Sequence, residues 1–270
     1  MHATLAFIGG GNMASAIVGG LLRAGRPLAS VVVVEPHAPQ RELLRAQFGL
    51  EAVPAPTAAL AQAELVVWAV KPQSFAEAAQ AAQPWLAQAL QLSVMAGVRS
   101  EAIAQVAGTE RVVRAMPNTP ALIGQGIAGL YARPAVSARD RAEVDAVLAP
   151  TGRTLWLEQE AQLDAVTALS GSGPAYFFCV CEAMVNAGVE LGLSEAQARE
   201  LALNTCAGAA ALALRSPEPL ATLRERVTSK GGTTHAALES LRADGVGAAF
   251  ERAVRAAATR AEELGRPPTP

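Results

Sequence analysis

Hydroxyl side chains flank two adjacent glycines in the segment 227–238, directly before a run of helix-forming residues. Gly231 and Gly232 let the backbone turn freely, and the run Ala236–Leu241 is typical of a helix. A loop that enters a helix N-terminus in this way presents free backbone N–H groups, and the positive end of the helix dipole, to an anion. An ordinary helix N-cap has the same pattern. The segment by itself leaves both interpretations open.

A second glycine-rich segment lies near the beginning of the chain, where Gly9-Gly10-Gly11-Asn12-Met13-Ala14 follows an apolar run. In this Gly-x-Gly-x-x-Ala spacing, Gly9 makes a tight turn, Gly11 lets a pyrophosphate approach the backbone, and Ala14 lets the helix pack against the sheet. Glu35 follows 21 residues after Ala14, where an acidic residue binds the hydroxyls of the adenosine ribose. A purely structural turn would not need Glu35, so the pattern favours a dinucleotide site.

Further candidate cofactor contacts lie at the ends of the later predicted strands. Val70 ends the third strand and Lys71 and Pro72 follow it, while Ala96 follows the fourth and Asn118 the fifth. Because ligands of parallel α/β sheets bind at the carboxyl ends of the strands, we expect these residues to contact the cofactor. The alternative for Lys71 is an ordinary solvated surface lysine.

The elements that must position these groups change character along the chain. Short β-branched runs alternate with helical stretches up to about residue 158, which predicts a Rossmann-type parallel sheet covered by helices on both faces. The predicted strands are Leu5–Ile8, Val31–Glu35, Leu65–Val70, Gln91–Met95, Arg111–Ala115, Ile127–Tyr131 and Thr154–Leu157.

The strand pattern disappears after about residue 160, and the rest of the chain reads as helices. We therefore expect an α/β dinucleotide-binding domain over 1–159 and an all-helical domain over 160–270. The small residues of the helical part permit close helix approach, which favours packing against a second subunit.

Composition limits the classes of function. A net charge of −2 gives no general attraction for nucleic acid or an anionic membrane surface. Polar residues interrupt every apolar segment before it reaches the length of a membrane span. The absence of a signal-peptide pattern predicts a cytoplasmic protein. The three cysteines and three histidines lack metal-ligand spacing, so we expect no metal.

Taken together, the motifs resemble those of the pyrroline-5-carboxylate reductase family over nearly the whole chain. The matching segments are Phe7–Ala14, Ala69–Gln73, Arg114–Pro120, Leu169–Tyr176 and Val227–Leu238. The resemblance implies a helical domain that binds substrate and dimerises, often within a decamer. It also implies reduction of the cyclic imino acid 1-pyrroline-5-carboxylate to L-proline by NADPH or NADH, the last step of proline biosynthesis.

The resemblance assigns roles to individual residues. Thr234 is expected to hydrogen-bond the imine nitrogen as the catalytic contact, while Ser229, Gly232 and Thr233 help to hold the substrate carboxylate. The threonine hydroxyl is too weakly acidic to be a free proton source, so its expected role is positioning. Glu160 falls where the family has an acidic residue near the substrate amine. A surface glutamate is an equally good interpretation of Glu160.

Two positions depart from the family pattern. Lys230 replaces a proline of many members, which makes the loop more flexible and adds a positive charge beside the carboxylate site. Glu35 stands where NADPH-binding members tend to have a small hydroxylated residue, and its carboxylate would repel a 2′-phosphate. His37 and Arg41 would partly offset that repulsion. We therefore expect NAD(P)H use with a relaxed or NADH-leaning preference.

Two alternatives remain at this point. One is another imine or β-hydroxyacid reductase of the same two-domain plan; the hydroxyacid version usually has a lysine on the long helix, and Pro174–Leu191 contains none. The other is a non-catalytic dinucleotide sensor, which would keep the Gly9–Ala14 motif but would not need the hydroxyls of the 227–238 segment. Those hydroxyls favour an enzyme.

Overall fold

The computed structural model describes residues 4–86 and 89–265. The chain divides into two compact units, one comprising Met1–Ser172 with Ala257–Pro270 and the other Gly173–Ala256. The domain boundary predicted between residues 159 and 160 separates the α/β part of the chain from the all-helical part. It is a different criterion from compactness, so the boundary stays a prediction.

The first unit is built on a sheet of seven strands in the order β2-β1-β3-β4-β5-β6-β7. All seven predicted strands are present, with ends that differ by a few residues. Their bounds are β1 Leu5–Ile8, β2 Val31–Val34, β3 Leu65–Trp68, β4 Leu90–Ser93, β5 Val112–Met116, β6 Gly126–Ala132 and β7 Gly152–Leu157.

The predicted Rossmann-type parallel sheet is confirmed except for one strand pair, which is antiparallel. β1 to β5 are parallel, whereas β6 pairs antiparallel with β5, with Met116 opposite Gly129. The connection 117–125 contains only a 3₁₀ turn, Thr119–Ile123, and is too short for the helical crossover that a parallel pair requires. β7 then pairs parallel with β6.

Helices connect the strands of the first unit, as the alternating pattern predicts. They are α1 Asn12–Arg23, α2 Ala38–Phe48, α3 Phe75–Ala82, α4 Ser100–Ala107, α5 Ala138–Leu148 and α6 Gln162–Val166, the last followed by a π-helical turn Thr167–Gly171. The sequence interpretation did not include α5. Its readable signal is a capping box, in which Ser137 and Asp140 each accept a hydrogen bond from the other's backbone N–H.

Both faces of the sheet are buried. Leu5 and Phe7 of β1 belong to one core cluster and Ala6 and Ile8 to the other, because successive strand residues point to opposite faces. In the second cluster the Trp68 indole donates a 2.8 Å hydrogen bond to the Gln91 carboxamide, which satisfies two polar groups in an apolar core. The core therefore fixes the carboxyl ends of the strands, where the candidate site residues lie.

The second unit is helical among its described residues. Its elements are α7 Gly173–Glu190, α8 Glu195–Arg215, α9 Leu220–Arg226, α10 Thr233–Ala243 and α11 Val246–Leu264, whose last residues belong to the first unit. Ser194 and Gln197 form the capping box of α8. A Cβ at Gly188 would come 2.9 Å from the Cβ of Ala198, so small residues let α7 and α8 approach closely. None of the described helices is long and apolar enough to cross a membrane.

Replacement of Gly152 by alanine should strongly destabilise the first unit. Gly152 has φ +138°, and an added Cβ would overlap the carbonyl oxygen of Gly126 on the neighbouring strand. We expect a loss of about 3 kcal/mol or more from backbone strain and overlap combined. Urea unfolding followed by tryptophan fluorescence measures this unit selectively, because Trp68, Trp85 and Trp156 all lie in it.

The matched control is Gly108→Ala. Gly108 also has a positive φ, +65°, but an added Cβ would meet open space. It should cost only about 1 kcal/mol of left-handed strain. Equal effects of the two substitutions would show that overlap at Gly126 contributes nothing.

Candidate functional site

The turn between β1 and α1 leaves an opening at the helix N-terminus. Gly9 has φ +98°, and a Cβ there would lie 2.6 Å from the carbonyl oxygen of Ala69. Gly11 is the N-cap of α1, has no side-chain cap, and has no atom within 4 Å of where its Cβ would be. The first-turn N–H groups of α1 are therefore uncapped beside open space at Gly11, an arrangement typical of an anion-binding helix N-terminus.

The other residues of this motif have different surroundings. Ala14 is buried in the core, as close packing of α1 on the sheet requires, and Met13 packs against the same cluster. Asn12 is exposed. A Cβ at Gly10 would come 2.7 Å from the Cδ1 atom of Leu44, so a side chain does not fit there unless the Leu44 side chain shifts.

Glu35 forms a bridge between two loops. One carboxylate oxygen accepts a 2.8 Å hydrogen bond from the N–H of Gly10, and the other accepts one of 2.8 Å from the N–H of His37. Glu35 is only 9% exposed. The side chain of Gln40 donates a further 2.6 Å bond to the carbonyl of Gly10. The sequence predicts the position of Glu35 but not its bond to Gly10, which joins residues 25 positions apart.

An apolar cleft of about 300 Å³ lies beside the glycine turn. It is at the β1/β3 boundary, where the chain reverses its direction of travel through the sheet and where such folds bind nucleotides. Its walls include the predicted contacts Gly9 and Val70. The remaining lining residues are mainly small and apolar, with Ser74 and Glu77 as polar members: Ile8, Val34, Pro36, Pro54, Ala55, Pro56, Ser74, Glu77, Ala78 and Ala81.

The later predicted contacts follow the same edge of the sheet. Lys71 and Pro72 are exposed at the end of β3, and Ala96 is half-buried after β4. The side-chain oxygen of Asn118 accepts a 3.0 Å hydrogen bond from the N–H of Ile127, which fixes the start of β6 and leaves the amide NH₂ group available as a donor. The carboxyl ends of β1 to β5 thus bring all the predicted cofactor residues to one edge, and their contacts with cofactor stay predictions.

In the second unit, the glycine turn leads directly into α10. Gly231 has φ +74°, and the N–H of Gly232 donates a 3.0 Å hydrogen bond to the carbonyl of Ser229. Gly232 is the N-cap of α10 and supplies no side chain. No described side chain caps the first turn, so its N–H groups are available to a ligand, as the anion interpretation requires.

The predicted substrate hydroxyls surround this helix start. Ser229 and Thr233 are exposed, and Thr234 is half-buried. A Cβ at Gly232 would overlap the hydroxyl oxygen of Ser229, so a side chain there would require this hydroxyl to rotate away. Lys230 is exposed beside them. The geometry is that of a compact loop with hydroxyl and N–H donors around one helix N-terminus.

Glu160 is not the freely solvated glutamate that one interpretation proposed. Its carboxylate accepts hydrogen bonds from the N–H and the hydroxyl of Ser100, at 2.7 and 2.6 Å, and from the guanidinium of Arg114 at 2.9 Å. Partial burial by itself raises the pKa of Glu160, but the bonds from Ser100 and the charge of Arg114 outweigh it and the pKa is lowered. Burial is also the main cause that lowers the pKa of Arg114, opposed by Glu160.

This ion pair joins three elements of the first unit. Ser100 begins α4, Arg114 lies in β5 and is 4% exposed on its side chain, and Glu160 follows β7. Arg99 pairs with Asp164 at 2.8 Å beside it. The contact of Glu160 with a substrate amine stays a prediction. Among the described residues, no group of three or more His, Cys, Asp or Glu side chains has metal-binding geometry.

Comparison with known proteins connects both units to one family. A family model described as pyrroline-5-carboxylate reductase dimerisation matches residues 160–264, and one described as NADP oxidoreductase, coenzyme F420-dependent, matches residues 4–97. Pyrroline-5-carboxylate reductase of Pseudomonas aeruginosa is 46% identical over 96% of both chains. That of Haemophilus influenzae is 41% identical over 97% of this chain and 98% of its own.

Solved structures give the same result for the fold. A pyrroline-5-carboxylate reductase from Coxiella burnetii has a TM-score of 0.90 at 33% identity, with 98% of this chain and 99% of that chain covered. The Plasmodium falciparum pyrroline carboxylate reductase with NADP bound has a TM-score of 0.88 at 27% identity and the same coverage.

Replacement of Glu160 by glutamine should destabilise the first unit in a pH-dependent way. Its lowered pKa means that the ionised carboxylate stabilises the fold above the unfolded pKa of about 4.3, and this contribution is lost as the pH falls through the folded pKa. At pH 7 we expect a loss of about 3 kcal/mol, because the buried Arg114 loses its counter-charge. The difference from wild type should shrink between about pH 5 and pH 3.

Urea unfolding followed by tryptophan fluorescence at several pH values provides the measurement. Glu158→Gln is the control, since Glu158 is exposed two residues away. A Glu160→Gln effect that does not depend on pH would contradict the ionic origin of the stabilisation.

Proposed function

Because the chain belongs to the pyrroline-5-carboxylate reductase family, it reduces 1-pyrroline-5-carboxylate to L-proline with NAD(P)H, and we propose how its own residues take part. The observation that carries the proposal is the pair of uncapped helix N-termini, α1 after Gly9–Gly11 and α10 after Gly231–Gly232. Each offers backbone N–H groups to an anion. The reaction needs two such sites, one for the cofactor phosphates and one for the substrate carboxylate.

The first unit binds the cofactor, which supplies the hydride when bound. The first-turn N–H groups of α1 hold the pyrophosphate, and the open space at Gly11 lets it approach. Glu35 binds the adenosine ribose, and the apolar cleft accepts the adenine. The proposed contacts of the whole set are Gly9, Gly10, Gly11, Asn12, Met13, Ala14, Glu35, Val70, Lys71, Pro72, Ala96 and Asn118.

The α10 loop binds the substrate carboxylate. The N–H groups around Gly232 and Thr233 point along the helix axis, and the hydroxyls of Ser229 and Thr233 add donors. Lys230 contributes a positive charge beside them without a hydrogen bond to any described residue. These fixed donors orient the ring so that the imine carbon presents one face to the hydride.

Thr234 contacts the ring nitrogen. A protonated imine carbon is more electrophilic, and when it gains a hydride the electron pair of the C=N bond returns to nitrogen, which keeps its proton and becomes the neutral amine of proline. The Thr234 hydroxyl accepts a hydrogen bond from that N–H and so holds the protonated form in place. Glu160, already bonded to Ser100 and Arg114, is the predicted second contact to the nitrogen.

We propose that a second copy of the chain covers the helical unit, giving a homodimer. Large apolar side chains of this unit are exposed in the single chain to an extent that a free surface does not favour. The largest exposed fractions are Phe177 63%, Phe178 67%, Leu191 86%, Leu214 78% and Leu220 73%. The matched dimerisation model over 160–264 supports this arrangement, and a decamer of five dimers is the proposed higher assembly.

We propose the cytoplasm as the location. Cys179, Cys181 and Cys206 are all free thiols, which fits a reducing compartment. Cell fractionation should recover the reductase activity with cytoplasmic markers, and recovery with an exported or membrane fraction would contradict the proposal.

The reaction itself is tested by following cofactor oxidation with 1-pyrroline-5-carboxylate. Thr234→Ala should lower kcat/KM about 100-fold, because a positioned hydrogen bond at the reacting nitrogen is lost. Thr234→Ser keeps the hydroxyl and should recover most of the activity. The dissociation constants of the cofactors should change less than about twofold in both variants, since Thr234 lies outside the cofactor set.

Two outcomes would contradict these assignments. Unchanged kinetics in Thr234→Ala would remove this residue from the mechanism. A wild-type protein that binds cofactor but reduces no 1-pyrroline-5-carboxylate would overturn the proposed function. In Glu160→Gln, a raised KM measured where the variant is still folded would support substrate contact, and an unchanged KM would leave only its role in the ion pair.

Assembly is tested by light scattering of the purified chain. We expect twice the chain mass, or ten times for the decamer. Phe178→Asp on α7 should lower the assembled fraction because it places a charge in the covered surface. Leu43→Asp on α2 is the control, since Leu43 is a 51% exposed apolar residue of the other unit. A wild-type protein that stays monomeric at micromolar concentration would contradict the proposal.

A further inference from the structure

We propose that Glu35 makes this chain selective for NADH over NADPH, because the fold holds its carboxylate rigidly at the place where the two cofactors differ. The inference rests on the proposed dinucleotide site and adds the choice between its two ligands. The cofactors differ only at the 2′ position of the adenosine ribose, which carries a hydroxyl in NADH and a phosphate in NADPH.

The position of Glu35 relative to the ribose follows from the fold. It is the first residue after β2, and β2 lies next to β1, whose carboxyl end makes the glycine turn. In dinucleotide folds the residue at this point contacts the ribose of the adenosine half. Its neighbours Val34 and Pro36 both line the apolar cleft proposed for adenine.

The carboxylate cannot easily leave this position. Both of its oxygens are bound, one to the N–H of Gly10 and one to the N–H of His37, each at 2.8 Å. These donors belong to the backbone of the two loops that frame the site, so they cannot rotate away as side chains do. Hydrogen bonds to an ionised acceptor are the stronger class, and Glu35 is only 9% exposed. A larger group at the 2′ position of the ribose must therefore lie close to the fixed negative charge of Glu35.

The remaining bonding capacity of Glu35 suits a hydroxyl. Each carboxylate oxygen has a second lone-pair position after its backbone bond, and both can accept from ribose O–H groups. A 2′-phosphate has mainly acceptor oxygens and a charge of about −1.5 to −2 near neutral pH. Two anions within about 4 Å repel each other by several kcal/mol at a partly buried site. Glu35 thus binds the 2′-hydroxyl of NADH and repels the 2′-phosphate of NADPH.

Nearby positive charge does not reverse this balance. The guanidinium of Arg41 donates hydrogen bonds to the backbone carbonyls of Glu35 and Pro36, at 3.0 and 2.7 Å, so the side chain is tied beside the ribose position. Its single charge offsets that of Glu35. Glu77 adds a further negative charge in the lining of the adjacent cleft. The pocket therefore lacks the net positive charge that favours a 2′-phosphate.

This preference separates the chain from its NADP-linked relatives. The model that matches residues 4–97 describes an NADP oxidoreductase, and the Plasmodium falciparum structure has NADP bound. Those descriptions belong to the relatives. In this chain, Glu35 makes the same fold select the cofactor that has a hydroxyl at the 2′ position of the ribose.

Direct binding of NADH and NADPH tests the proposal without turnover. Titration of cofactor fluorescence should give a dissociation constant for NADH at least about 10-fold lower than for NADPH in the wild type, a difference of about 1.4 kcal/mol. Glu35→Gln keeps the size of the side chain and removes its charge. It should lower the NADPH-to-NADH ratio of dissociation constants about 10-fold or more.

Two further variants separate charge from loop structure. Glu35→Ser removes the acceptor of the Gly10 N–H as well as the charge, so it should shift the ratio like Glu35→Gln but weaken both cofactors. Arg41→Ala in the Glu35→Ser background should weaken NADPH more than NADH, because the positive charge of Arg41 beside the ribose position is lost. Glu42→Gln is the control, since it removes a charge from a side chain 70% exposed on the same helix, and it should leave the ratio unchanged.

Equal or tighter binding of NADPH by the wild type would overturn the inference, as would an unchanged ratio in Glu35→Gln. Measurement of imine reduction on the same samples distinguishes failure of the Glu35 proposal from failure of the proposed function. Normal reduction with an NADPH preference would contradict the role of Glu35 and leave the reductase intact. If the protein binds NADH more tightly but does not reduce 1-pyrroline-5-carboxylate, the proposed function is contradicted and the role of Glu35 is still supported.

Discussion

The close approach of backbone at the end of β1 is the constraint on which the first unit depends. Gly9 turns with a left-handed φ where a side chain would strike Ala69, and this turn directs α1 back across the sheet. Ala14 then packs into the core, and the N–H groups at the start of α1 remain free. Glu35 completes the arrangement by accepting from Gly10. The same bond that stabilises the turn also fixes a negative charge, so the shape of the site and its ligand preference have one origin.

The sequence predicts all seven strands but does not predict that β6 runs antiparallel to β5. Most of the strands are short β-branched or apolar runs, and a strand buried on both faces has that composition wherever it lies in the sheet. Direction depends on the connection instead, so β6 was expected to be parallel although the nine residues 117–125 leave no room for a crossover helix. α5 was missed because its apolar pattern is weak, while its capping box at Ser137 and Asp140 was readable.

The candidate site shows the same division between local and long-range information. Glycine spacing, the position of Glu35 and the hydroxyls before α10 are local patterns, and the sequence predicts them. The bonds from Gly10 to Glu35 and from Ser100 to Glu160 join residues 25 and 60 positions apart, and no local pattern encodes such pairs. Both carboxylates gain their properties from these partners, because a glutamate bound to backbone N–H groups has lost the freedom of a surface side chain.

Lys230 is best understood from the turn that follows it. A proline restricts the unfolded chain and stabilises a loop by about 0.4–1 kcal/mol where the native backbone has the φ that proline requires. In this chain the turn is closed by the bond from Gly232 N–H to the Ser229 carbonyl, and Gly231 supplies the left-handed φ. The loop shape therefore does not require proline. Lysine lacks only the stabilisation that proline provides by restricting the unfolded chain. Lysine also adds an exposed positive charge next to an uncapped helix N-terminus, and both would attract the substrate carboxylate that we propose binds there.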